Sequence, residues 1–116
     1  LAVLGSLVAK TDAFDAMEEN SDLIEYQGDI FQKVWEEAAE MRRTGELLAQ
    51  AANVRCPVVA IHGDYDPHPA EAVKVPLIAV LKDFQFILLP NCGHKPWIER
   101  QAREAFFRIL AHELPI

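Results

Sequence analysis

The sequence predicts a mixed α/β fold in which two parallel strands are joined by a helix and followed by a C-terminal helix. Two short apolar runs, at 56–62 and 84–89, each end in a loop that contains glycine and proline. A helical pattern lies between them at 70–81, and a helix between two strands favours a parallel pair with a right-handed crossover. Before Val54 the pattern is helical throughout, so the chain divides there.

The beginning of the chain is predicted to form two helices and a loop. Apolar residues spaced for one helical face favour a helix over 1–10. Thr11 and Asp12 suit the start of a second, short helix that ends near residue 19. Polar and acidic residues then predict a loop over 18–28.

A longer helix follows, with recognisable start and stop signals. Asp29 is expected to cap it, with Gln32 as the return partner of a capping box. Thr44 and Gly45 end this helix, and one or two further turns are expected at 46–52. Its predicted apolar face consists of Ile30, Phe31, Val34, Trp35, Ala38 and Ala39.

The second half contains the predicted sheet. Its first strand, 56–62, is apolar on both faces, as strands of parallel sheets are, so Cys56 is expected to be a buried thiol. The connecting helix contains Pro76, which is expected to kink or interrupt it. The last helix is predicted over 97–113, and its apolar side consists of Ile98, Ala102, Ala105, Phe106, Ile109 and Leu110.

The composition restricts the possible partners. The net charge is −7 and the sequence pI is about 5.0, so a nucleic-acid partner, which needs a basic face, is not expected. Ten acids and one base, Lys33, lie between Asp12 and Glu40, which indicates a solvated helical surface or, alternatively, a docking face for a cationic partner. No apolar run reaches about 18 residues and no disulfide framework is present, so we expect no membrane span and a cytoplasmic protein.

Two loops at the ends of the predicted strands carry the candidate functional residues. Parallel strands about 4.8 Å apart direct their carboxyl ends to one edge of the sheet, where ligands bind. The loops at 63–69 and 90–96 should therefore emerge side by side, so that an Asp of one reaches a His of the other. A carboxylate beside an imidazole fixes the ring tautomer and stabilises the imidazolium, which suits the ring to act as a general base.

The two strand-loop units resemble those of α/β-hydrolase-fold enzymes. The stretch 58–67, VVAIHGDYDP, is similar to the family's acid-bearing strand and turn, an apolar strand followed by Gly, two residues and Asp. The stretch 86–94, FILLPNCGH, resembles the last strand and its Gly-His loop, and a final helix follows as it does in the family. The resemblance implies that Asp66 is the triad acid and His94 the triad base, with a separation similar to the family's usual interval.

The resemblance also implies which parts of such an enzyme the chain represents. Segment 54–116 corresponds to the C-terminal portion of an α/β-hydrolase fold, and segment 1–53 to the end of its helical lid. The family's nucleophile lies upstream in a G-x-S-x-G elbow, and neither Ser6 nor Ser21 lies in such a turn. We therefore expect part of a serine-type hydrolase for a small-molecule ester, amide or similar bond. It needs no cofactor and is expected to be inactive without the missing N-terminal half.

The loop residues also have less specific interpretations. Asp66 could simply form a turn, and His94 could be a surface histidine. Asp64 could replace Asp66 as the acid only if the loop register differs. His62 is expected to be a half-buried structural residue, while His68 either lines the pocket mouth or has no role.

A metal site is the main competing interpretation of these loops. Its possible ligands are His62, Asp64, Asp66, His68, Cys92 and His94. Gly63 and Pro67 break the strand alternation that would align them, and no C-x-x-C or H-x-x-x-H spacing occurs, so no metal is expected. Cys92 as a nucleophile is disfavoured, because a position two residues from His94 is a poor geometry for attack.

A second hypothesis comes from a different functional class. The chain could be a non-catalytic α/β module that associates through an open sheet edge, because a two-stranded sheet is marginal alone and open edges recruit other strands. Under both hypotheses we expect a homo-oligomer or a complex with the missing N-terminal half.

Overall fold

A computed structural model describes residues 2–17 and 27–114, except for the side chain of Ala2. The predicted mixed α/β fold with a parallel strand pair is confirmed. Among the described residues no helix combines the length and the apolar character that a membrane span requires. In chain order the elements are α1 (Ala2–Thr11), α2 (Gly28–Thr44), α3 (Glu46–Ala51), β1 (Val58–Gly63), α4 (Ala70–Val80), β2 (Phe84–Leu89), a 3₁₀ turn (Pro96–Ile98) and α5 (Arg103–Glu113).

The two strands end level with each other. They pair in parallel with Val58 opposite Phe84 and Gly63 opposite Leu89, and α4 connects them. The pairing continues beyond the strands, because the Asp64 N–H donates to the Leu89 carbonyl at 2.9 Å. The loops that follow β1 and β2 therefore begin side by side, as the parallel arrangement predicts.

A small core lies between the sheet and α5. Leu89, Cys92 and Ala102 are its buried apolar residues. The partly buried residues packed against them come from both strands and from α5: Ile61, Ile87, Ala105, Phe106 and Ile109. The expectation of a buried Cys56 thiol is wrong, because β1 begins only at Val58 and Cys56 lies in the exposed segment before it.

The first three helices leave most of their apolar side chains exposed. The whole chain exposes 8998 Å², whereas a compact monomer of 13.0 kDa exposes about 6,300 Å². The apolar face predicted for α2 does exist on that helix, but it contributes no buried residue. Large apolar side chains that are at least 46% exposed on α1 and α2 are Val3, Leu4, Leu7, Val8, Ile30, Phe31, Val34 and Trp35.

The second helix predicted near the N-terminus is wrong for its described part. Residues 12–17, called the strap below, form turns, bends and an isolated antiparallel bridge between Ala16 and Glu99. The strap is not helical because Glu99 binds the N–H groups of Phe14 and Asp15 from far along the chain. Most of the loop predicted over 18–28 lies outside the described residues.

The prediction for α2 is wrong at its start and confirmed at its end. The predicted capping box is wrong: Gln27 is the N-cap residue without a side-chain cap, and Asp29 lies inside the first turn. A carboxylate there still interacts favourably with the helix dipole. The Gln32 side chain turns outward and donates to Glu36 at 2.8 Å. The predicted stop is confirmed, because Gly45 adopts a left-handed conformation with φ of 79°.

Two later helices differ from their predictions. Pro76 lies within α4, which continues to Val80 without interruption. The single helix predicted over 97–113 is divided, because Glu99 has an extended backbone (φ −79°, ψ 129°) between the 3₁₀ turn and α5. This extended conformation lets Glu99 pair with the strap and direct its side chain inward.

Candidate functional site

Asp66 and His94 meet at the carboxyl ends of β1 and β2. Nδ1 of His94 lies 2.8 Å from Oδ2 of Asp66, which is a hydrogen-bond distance. The Asp66 side chain is 6% exposed, whereas that of His94 is 46% exposed. The proximity expected from the parallel strands is confirmed, and the catalytic roles of the two residues stay predictions.

His68 contacts the same carboxylate at its other oxygen. Its backbone N–H donates to Oδ1 of Asp66 at 2.9 Å, and its ring Nδ1 lies 2.9 Å from the same oxygen. The hydrogen bond across Pro67 is an Asx-type turn, which is a common use of Asp in loops. The rings of His68 and His94 lie with their centroids 5.3 Å apart. Asp66 therefore contacts two imidazole rings, although only the His94 ring was predicted to contact it.

The surroundings of Asp66 favour its charged form. Burial by itself raises the pKa of Asp66, but the hydrogen bonds from the His68 N–H and from the rings of His94 and His68 outweigh it. The pKa of Asp66 therefore lies below its ordinary value. A carboxylate that stays ionised can orient an imidazole and stabilise its protonated form.

Two neighbouring residues occupy supporting positions. His62 is buried, and its Nδ1–H donates to the Gly63 carbonyl at 2.8 Å. Its Nε2 lies 3.7 Å from Oδ2 of Asp66, which is too long for a hydrogen bond. Asp64 accepts the Cys92 N–H at 3.2 Å and so links the two loops. In the described parts of the chain, Asp64 makes no hydrogen bond to a histidine, so it does not replace Asp66.

Cys92 is not suited to be a nucleophile. Its side chain is fully buried, and Sγ–H donates to the Gly93 carbonyl at 3.4 Å. Burial, followed by the negative charges of Glu99, Asp64 and Asp66, raises the pKa of Cys92 to about 11. The thiol is therefore protonated at neutral pH, whereas attack requires the thiolate.

Glu99, the most deeply buried acid of the site, was not among the site residues predicted from the sequence. Its side chain is fully buried, and its two oxygens accept three backbone N–H groups. Oε2 accepts from Asp15 at 2.6 Å, and Oε1 accepts from Phe14 at 2.7 Å and from Gly93 at 3.0 Å. Glu99 thus joins the strap to the loop that carries His94. Its spacing from Ala102 and Phe106, three and seven residues on, is the signal that could have indicated a buried acid.

The strap also contacts the His94 loop through its backbone. The His94 N–H donates to the Asp12 carbonyl at 2.6 Å. Gly93 must lack a side chain, because a Cβ there would overlap the Asp12 carbonyl and the Glu99 carboxylate. Asn91 turns the loop with a φ of 52°, a left-handed conformation that Asn tolerates well. The loop around His94 is therefore held on its strap side by the His94 hydrogen bond and by the close approach of Gly93 to the Asp12 carbonyl.

No nucleophile elbow occurs in the described residues. Ser6 lies inside the exposed helix α1, and Ser21 lies outside the residues that the structure describes. The described site can orient an imidazole and transfer a proton, but it does not itself offer an activated hydroxyl or thiolate.

Comparisons with known proteins returned no relatives of this chain. No protein-family model, curated protein or solved structure matches it.

Proposed function

We propose that the chain supplies the acid and the base of a serine-hydrolase-type catalytic triad. The observation that carries the proposal is the 2.8 Å contact between Oδ2 of Asp66 and Nδ1 of His94 at the carboxyl edge of the sheet. In such a triad the carboxylate binds Nδ1–H and leaves Nε2 unprotonated. Within residues 2–17 and 27–114, Nε2 of His94 makes no hydrogen bond, so a hydroxyl can approach it.

The proposed reaction needs a serine from a G-x-S-x-G elbow that lies upstream of this sequence. His94 takes the proton of that hydroxyl while the oxygen attacks the carbonyl carbon of an ester, amide or similar bond. His94 then returns the proton to the leaving group, and Asp66 remains ionised throughout. The depressed pKa of Asp66 supports this role, because the carboxylate keeps its charge at neutral pH.

The first half of the chain is proposed to be the end of a lid over this site. The strap supports this assignment, because it joins α1 to the loop of His94 through Glu99. The core part, 54–116, is proposed to complete an α/β-hydrolase sheet whose other strands lie upstream. The large exposed apolar surface of α1 and α2 supports burial against further protein.

The test uses the protein encoded by the complete reading frame and an activated ester as substrate. Asp66→Asn should lower kcat by about 10⁴-fold, and His94→Ala should lower it by a similar factor. His112→Ala is the matched control, because this histidine lies beside a carboxylate on α5 and is 84% exposed. It should leave the rate unchanged, and a chelator should not lower the rate.

Three outcomes would contradict this account. A complete reading frame without a serine nucleophile would remove the proposed reaction, as would variants of Asp66 and His94 that hydrolyse the ester at the wild-type rate. Turnover by residues 1–116 alone, abolished by His94→Ala, would instead contradict the expected inactivity of this chain.

A non-catalytic association module is the second candidate function. The observation that favours it is the exposed surface, which is far larger than that of a compact monomer, together with two strands whose outer edges are unpaired in the described residues. Light scattering on residues 1–116 should show a homo-oligomer. A folded monomer at micromolar concentration would contradict the association that both candidates predict for this isolated chain.

A further inference from the structure

We propose that Asp66, His68 and His94 form a binding site for one divalent transition-metal ion such as Zn²⁺. The inference does not depend on hydrolase activity, because it rests on the donor atoms alone. One donor atom from each side chain can be chosen so that all three lie within 4.8 Å of one another. Zn²⁺ binds nitrogen and carboxylate oxygen at about 2.0–2.2 Å, so tetrahedral donors are roughly 3.5 Å apart. Small ring rotations therefore complete the site.

The exposure of the three side chains suits ion entry and adjustment. The His68 and His94 side chains are 69% and 46% exposed, so both rings can rotate and an ion can reach them from solvent. The Asp66 carboxylate is 6% exposed and fixed by the His68 N–H at Oδ1. A carboxylate that binds a metal is commonly oriented by such a hydrogen bond. The site thus combines one rigid ligand with two adjustable ones.

The chemistry of the donors selects the class of ion. Two imidazole nitrogens and one carboxylate oxygen suit Zn²⁺ and related transition metals, whereas Mg²⁺ and Ca²⁺ prefer oxygen ligands. Three protein ligands leave a fourth position for water. His62 and Cys92 are buried and lie outside the group of donor atoms within 4.8 Å of one another.

The loop sequence explains how these ligands come together without a zinc-binding spacing. Gly63 and Pro67 break the strand alternation that would align the ligands, and no metal was therefore expected. The turn across Pro67 instead directs the His68 ring back onto the Asp66 carboxylate. His94 then joins from the neighbouring loop.

Metal binding and the proposed triad use the same groups. An ion coordinated by Asp66 and His94 displaces the hydrogen bond between them, so a bound ion prevents general-base catalysis by His94. Zn²⁺ should therefore inhibit the full-length protein if the proposed function is correct. His68 has no task in the triad, which makes it the residue that separates the two proposals.

The test is calorimetric titration of residues 1–116 with ZnCl₂, with MgCl₂ as the comparison ion. We expect one Zn²⁺ per chain and no Mg²⁺ binding. His68→Ala should weaken Zn²⁺ binding by more than ~10-fold, because loss of a residue that only supports a metal ligand already costs about 10–100-fold. His112→Ala is the matched control, because its Nδ1 lies 3.1 Å from Glu113 in a single His-carboxylate pair.

The outcomes separate this proposal from the proposed function. Zn²⁺ binding that His68→Ala leaves unchanged, or that His112→Ala weakens equally, would overturn the metal site. The visible absorption of Co²⁺ provides a second measurement, since nitrogen coordination must change when His68 is replaced. Zn²⁺ binding together with no esterase activity in the metal-free full-length protein would refute the hydrolase alone. Esterase activity without Zn²⁺ binding would refute the metal site alone.

Discussion

Asp66 and Glu99 are two shielded carboxylates in one loop cluster, and they are held in opposite ways. Asp66 binds the rings of His68 and His94, which can gain or lose protons. Glu99 binds three backbone N–H groups, which cannot. A carboxylate among imidazoles is suited to proton transfer, whereas a carboxylate among amides holds chain segments together. The comparison separates a candidate reacting group from a group that keeps the site in place.

Removal of the Glu99 carboxylate should have the largest effect on stability. Glu99→Ala leaves three backbone N–H groups without their acceptor. Each buried N–H left unpaired costs about 1–3 kcal/mol. We expect the free energy of unfolding to fall by about 4 kcal/mol, because the strap can detach and hydrate some of these groups. Urea unfolding followed by circular dichroism measures the difference.

Glu104→Ala is the matched control for that experiment. Glu104 lies on α5 and is 90% exposed, with one ion pair to Arg108. This control should change the free energy of unfolding by less than about 0.5 kcal/mol. If Glu99→Ala were equally harmless, the carboxylate would not hold the strap.

A side chain at position 93 should break the same connection by crowding. In Gly93→Ala the added Cβ overlaps the Asp12 carbonyl and the Glu99 carboxylate. We expect a loss of about 2 kcal/mol, as in other overpacked sites, and faster hydrogen exchange at the Phe14 and Asp15 amides. Gly28→Ala is the control, because a Cβ there meets nothing within 4 Å. Unchanged amide exchange in Gly93→Ala would contradict the described contact.

The smallest of the three expected effects on stability is the pH-dependent contribution of the Asp66 charge. Its pKa is lower in the folded chain than its ordinary value of about 3.9, so ionised Asp66 stabilises the fold at and above that pH. This contribution is lost as the pH falls through the lower folded pKa. The stability difference between wild type and Asp66→Asn should therefore shrink below about pH 4. A difference that stays constant to about pH 2 would show that the Asp66 charge is not involved.

The sequence allowed the sheet and its two loops to be predicted because their signals are local. The apolar run 84–89 coincides with β2, and Gly63 and Pro90 mark where the strands give way to loops. Parallel pairing then brings Asp66 and His94 together whatever the details of the loops. Within the site, Asp66 and His94 were therefore predictable, because both follow the ends of paired strands.

Glu99 and His68 were not predictable in the same way. Two of the three amide partners of Glu99 lie 85 and 84 residues away in sequence, and a backbone amide has no residue identity to recognise. The same hydrogen bonds to Glu99 explain why the strap does not form the predicted helix. The His68 contact depends on how the chain turns at Pro67, which the sequence alone leaves open. Hydrogen bonds from distant backbone N–H donors and the geometry of turns therefore limited the prediction.

The contact between the His94 N–H and the Asp12 carbonyl has a mechanical consequence. Asp12 directly follows α1, and its own N–H bonds back to Val8 within that helix. A force on α1 is therefore transmitted to the backbone of His94 through the hydrogen bond between Asp12 and His94. Proteolytic removal of the first 17 residues would remove the segment that supports the His94 loop. It would also remove two of the three backbone amides that donate to the buried Glu99 carboxylate.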